Sequence, residues 1–120
     1  MTKHRGNIFE ERPASQQEVT LVRWLLEHGK APAREHIPEV EGLHVVSRCG
    51  CGCASVEFAH EPGAGLEILS DYQWEDERGQ LFGVFVFAKR GKLAGLEVWS
   101  IDGRATPRSL PDPHVLRPTG

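Results

Sequence analysis

Cys49, Cys51 and Cys53 are all the cysteines of this 120-residue chain, and they stand in one alternating run, Cys49-Gly50-Cys51-Gly52-Cys53. In an extended strand the side-chain period of two would put all three thiols on one side. The two glycines predict a turn instead, a three-residue hairpin loop Gly50-Cys51-Gly52 joining strands 43–48 and 54–59. Cys49 and Cys53 then face each other with β-carbons about 4.5–5.5 Å apart, and Cys51 stands exposed at the tip. Three readings stay open at this point. The thiols can share zinc or another soft metal, a thiol beside Arg48 and free backbone N–H groups can be a nucleophile, or the three can be small side chains packed around a turn.

Zinc asks for four ligands, usually two separated pairs, and the chain supplies no second pair. His44 and His60 flank the run and are the candidates to complete a site if the hairpin curls toward them. A thiol nucleophile would need an oriented base, and His28, His36, His44, His60 and His114 offer no preferred partner. There is no phosphate cradle, since neither glycine-rich nucleotide-binding pattern occurs.

A second group of residues points to a surface. Glu57, Glu67, Asp71 and Glu97 all fall inside predicted strands, where they can line one polar face and present a negative field to a basic protein partner. With a net charge of −3 and a pI near 6.1 the chain lacks the basic stripe that nucleic acid requires. No apolar stretch approaches a membrane span, and the polar start, Met1 to Asn7, has no signal-peptide core. An odd number of clustered cysteines does not fit a secreted disulfide framework, so a reducing cytoplasm is expected.

The elements that must hold these residues follow from periodicity. Residues 1–14 show none and are expected to be a flexible arm, with a single domain over 15–120. Ser15 with Glu18 forms a capping box, and Val19, Leu21, Val22, Trp24, Leu25 and Leu26 make an apolar helical stripe, predicting a helix at 16–28 with Gly29 as a left-handed cap. Pro32 and Pro38 make 30–42 a connector with one helical turn near 34–37.

Five strands are predicted at 43–48, 54–59, 66–75, 81–89 and 93–101, joined by short glycine-bearing turns as an antiparallel meander. The 81–89 strand is apolar on both parities and is expected to lie centrally, with both faces covered. On 66–74 the alternation places Leu66, Ile68, Tyr72 and Trp74 on one face, and Glu67, Leu69, Asp71 and Gln73 on the other. The proline-bearing tail, 104–120, is read as an extended strap over the sheet. The fold class is therefore α+β: one amphipathic helix on an antiparallel sheet of about five strands.

The run Cys49-Gly50-Cys51-Gly52-Cys53-Ala54-Ser55-Val56-Glu57-Phe58, the stretch Leu96-Glu97-Val98-Trp99-Ser100-Ile101-Asp102-Gly103 and the tail Leu110-Pro111-Asp112-Pro113 together resemble a family of small uncharacterised bacterial proteins. The resemblance brings no catalytic residues. Some similar one-domain proteins act as immunity proteins that neutralise a toxin, which suits an acidic face. The sequence thus reads as a protein-binding or self-associating module rather than an enzyme, with a homodimer or a protein as partner. The alternative is a thiol protein that binds a soft metal or does redox chemistry through its cysteines.

Overall fold

A computed structural model of the chain describes residues 7–119. One α-helix and seven strands form an α+β fold on a single antiparallel sheet, whose strand order is β1-β2-β3-β6-β5-β4-β7. The strands are β1 (Asn7–Pro13), β2 (His44–Cys49), β3 (Val56–Glu57), β4 (Leu66–Glu75), β5 (Leu81–Lys89), β6 (Lys92–Ser100) and β7 (Arg117–Pro118). Among the described residues no helix is long and apolar enough to cross a membrane.

Helix α1, Gln16–Glu27, forms where the capping box required it: the Glu18 N–H donates to the Ser15 hydroxyl, and the Ser15 N–H donates to Glu18 Oε1 at 2.8 Å. Arg12 then grips Glu18 with two N–H groups, both at 2.9 Å, and so ties the first strand to the helix start. Leu21, Val22, Leu25 and Leu26 are fully buried against the sheet residues Leu69, Val84, Val86, Leu96 and Val98. This burial supplies the stability that a 12-residue helix lacks alone. Gly29 follows the C-cap His28 but is not the left-handed cap expected, because its φ is not positive. Its role is close approach: an added β-carbon would lie 2.7 Å from Ser70 Cβ.

The expected arm lies partly outside the described residues, but Asn7–Pro13 is an edge strand paired with β2. The connector is more ordered than one turn, since Ala31–Val40 winds as a 3₁₀ helix. Strands β4, β5 and β6 follow the predicted meander, and Phe82 to Ala88 lies centrally. The expected meander fails at β3, which pairs with β6 rather than β4, so residues 58–65 cross the sheet instead of closing a hairpin. Two strands beyond the five expected lie at the edges, β1 and β7, and each is held by pairing rather than by an apolar alternation of its own.

The alternation on β4 also breaks. A bulge between Ile68 and Ser70 places Ile68 opposite Phe87 and Asp71 opposite Phe85, so Ile68 shares the face of Asp71. Glu67, opposite Ala88, takes the other face. One inserted residue shifts the pleat by one and exchanges the faces on either side of it. The tail is extended over much of its length, has a short 3₁₀ turn at Pro113–Val115, and ends as β7 against Tyr72 and Gln73.

Candidate functional site: a three-thiol cavity

The sheet face away from α1 carries the site. By register, Glu57, Gly95 and Phe87 form one cross-strand row, and Asp71, Phe85 and Glu97 form another. Phe87 is buried to 6% exposure yet lies outside the helix-facing core. Its ring rests on Gly95, and the indole of Trp99 rests on Gly83, where β-carbons would overlap them. Glycine within a strand often marks such a close approach. These two rings, with Glu57 and Glu97, border a cavity of about 300 Å³. Its other walls are Cys49, Cys51 and Cys53 on one side and Ala105, Thr106 and Pro107 of the tail on another.

The two strands flanking the cysteines pair antiparallel as predicted, but the loop between them is longer than three residues. Cys49 ends β2, its N–H donates to the Ser55 carbonyl at 3.1 Å, and β3 begins only at Val56. Cys49 and Cys53 are therefore not an opposed pair. Residues 50–55 curl so that the three sulfurs lie within 4.8 Å of one another, a group that can hold a metal ion. Gly52 stands at φ 94°, where side chains are strained, and the Arg108 guanidinium lies 3.1 Å from the place of its missing β-carbon. The Ala54 N–H donates to the Pro107 carbonyl at 2.9 Å, pinning the thiol loop to the tail.

Cys51 is the centre of the cluster. Its sulfur is 2.7 Å from that of Cys49 and 3.0 Å from that of Cys53, and it also accepts the Cys53 N–H at 3.4 Å. Burial works against its thiolate, but the thiols of Cys49 and Cys53 and these backbone N–H groups outweigh it and hold its pKa below the ordinary thiol value. Cys49 goes the other way: burial, with the proton it shares with Cys51, pushes it up to about 12. Cys51 is exposed and its neighbours are half-buried. Arg48, expected to activate a thiol, is engaged instead with Glu10 at 2.7 Å.

The histidines are not brought in. His44 lies at the far end of β2, opposite Pro13, and the His60 ring packs edge-on to Phe9 at 5.2 Å. Among the described residues the metal-capable group is the three cysteines alone. Of the expected acidic face, Glu57 and Glu97 reach the cavity, Asp71 shares its face two strands away, and Glu67 lies across the bulge. Glu57 accepts the hydroxyl of the fully buried Ser47 at 2.7 Å.

Sequence reasoning missed Phe87, Trp99, Thr106 and Pro107 as site residues. Only the glycines opposite the two rings offered a signal. The fold and site define an α+β domain with a thiol-walled cavity on the helix-free face of its sheet. No family model, curated protein or solved structure matches this chain.

Proposed function

We propose that this protein captures a soft metal ion through the thiolates of Cys49, Cys51 and Cys53. The observation that carries the reading is the convergence of all three sulfurs within 4.8 Å on a glycine-bearing loop that opens to a cavity. Thiolate donors select Cu(I) and zinc over hard cations. An ion about 2.3 Å from each sulfur wants sulfurs roughly 3.8–4.0 Å apart. The two short contacts, 2.7 and 3.0 Å, must therefore each open by about 1 Å. Gly50 and Gly52, flanking Cys51, give the loop the backbone freedom for that adjustment. Cu(I) is satisfied by three sulfurs, whereas zinc would take a fourth ligand from the cavity side. Glu57 and Glu97 enter this reading as cavity wall that favours a cation, rather than as a docking surface.

The test is an anaerobic titration of reduced protein with Cu(I) held by a chromophoric chelator, repeated with Zn(II). The expected result is one equivalent withdrawn from the chelator, with affinity falling at least about tenfold to a hundredfold in Cys51→Ser. Failure to withdraw either ion, or equal uptake by a chain with all three cysteines changed to serine, overturns the proposal.

A further inference from the structure

Set without a metal, the same sulfurs suit a second chemistry, and this inference does not rest on metal capture. Cys51 is exposed, touches both other sulfurs, and borders a cavity whose lining also includes Glu57, Glu97, Phe87 and Trp99. We propose that the cavity binds a small cationic disulfide, one carrying ammonium groups, and that Cys51 exchanges with it.

The electrons balance within the two partners. The Cys51 thiolate attacks one sulfur of R–S–S–R, the R–S–S–R bond breaks, and the first thiolate leaves and takes a proton. Cys49 or Cys53 then attacks the Cys51 sulfur of the mixed disulfide, gives up its proton, and expels the second thiol. Two protein thiols are oxidised to one disulfide and R–S–S–R is reduced to two R–SH. Either resolving sulfur needs to close only from 2.7 or 3.0 Å to a bond of about 2.05 Å, so resolution needs no large loop movement.

The choice of a cation follows from the walls. Glu57, Glu97, Phe87 and Trp99 all line the cavity, and an ammonium is drawn to carboxylates and to aromatic rings. Arg48 and Arg108, which lie beside the thiol loop, line a neighbouring recess and are not among the residues that line this one. A disulfide bearing carboxylates meets like charge, and a neutral one gains nothing from the carboxylates.

The experiment uses the full chain, reduced and freed of metal with a chelator. Its oxidation is followed with three disulfides: cystamine (cationic), bis(2-hydroxyethyl) disulfide (neutral) and glutathione disulfide (anionic). Each rate is divided by that of the same disulfide with free 2-mercaptoethanol, which removes intrinsic reactivity. The expected normalised order is cationic, neutral, anionic, with cystamine ahead of the neutral compound by roughly tenfold. Raising salt from about 20 mM to about 500 mM should collapse that ratio in the unaltered protein. Glu57→Gln with Glu97→Gln should collapse it at low salt, and Cys51→Ser should abolish the fast reaction. A normalised ratio below about threefold, or one insensitive to both salt and the glutamine changes, overturns the selectivity. A Cys51→Ser chain that exchanges as fast as the original overturns the role of Cys51. Because no metal is present, neither outcome bears on ion capture.

Discussion

Replacing Gly95 with alanine probes the cavity floor more directly than any change at the thiols. In an ordinary strand this substitution gains about 0.5–1 kcal/mol by restricting the unfolded chain. Here the new methyl would overlap the Phe87 ring, stand 2.7 Å from its Cε1, and lie 3.0 Å from the Val56 carbonyl oxygen. The carbonyl belongs to the paired strand β3 and cannot withdraw without breaking register. Phe87, only 6% exposed, has little room to turn. Overpacking of this kind costs about 1–3 kcal/mol, so the net expectation is a loss of about 1–2 kcal/mol.

In urea, with a slope of roughly 1–3 kcal/mol per molar, the midpoint should fall by about 0.5–1 M. The same change in a Phe87→Ala background should be nearly neutral, giving a coupling of about 1 kcal/mol or more. Gly83→Ala supplies the contrast, because the overlapping Trp99 indole is 42% exposed and can swing into solvent. Its cost should stay below about 1 kcal/mol. A Gly95→Ala chain more stable than the original, or an equal cost with and without the Phe87 ring, refutes the packing argument.

Iodoacetamide followed by peptide mapping should label Cys51 first, with a midpoint below the ordinary thiol value, while Cys49 stays protonated through mildly alkaline pH; equal labelling of all three would contradict the shared-proton arrangement. Glu18→Ala removes a two-pronged contact to Arg12 and one half of the helix cap, and should cost about 1–3 kcal/mol by chemical denaturation. Burial raises the Glu18 pKa, but Arg12 and Ser15 outweigh it and hold the group below its ordinary value. Its stabilisation is therefore present above the ordinary carboxyl range and lost as pH falls through the folded value, and the original chain should lose more stability on acidification than Glu18→Ala does. Ser55→Ala should cost about 1–3 kcal/mol, because the Ser55 hydroxyl accepts the buried Val98 N–H at 2.9 Å and donates to the Val98 carbonyl at 3.2 Å.

Local signals were the legible ones. Ser15 and Glu18 fixed the helix start because a capping box is satisfied within four residues, and β4 and β5 were bounded correctly because β-branched and aromatic runs end at polar turns. What escaped was set by partners distant in sequence. β1 and β7 have little pattern of their own and exist because β2 and β4 offer free backbone groups to them. The bulge at Leu69 leaves no mark in composition, yet it moves Glu67 off the face that Asp71 shares with Glu57 and Glu97.

At the site, the cysteines drew attention by type and clustering, but their geometry depended on the tail. No spacing rule could place Pro107 against Ala54, because 52 residues lie between them.

The shortness of β3 has a mechanical consequence. Among the described residues, Val56 and Glu57 are the only strand joining β1 and β2 to the four strands on the other side, with the Ser55 hydroxyl and the Phe58 backbone N–H adding bonds to β6. The sheet is therefore two panels meeting at a narrow hinge line, and amide exchange should open the β1–β2 panel before the β4–β5–β6 panel. The cavity straddles that line, with Cys49 contributed from one panel and Phe87, Glu97 and Trp99 from the other. Whatever fills it acts as a clasp across the fold, and its arrival should register as a loss of independent motion between the two halves.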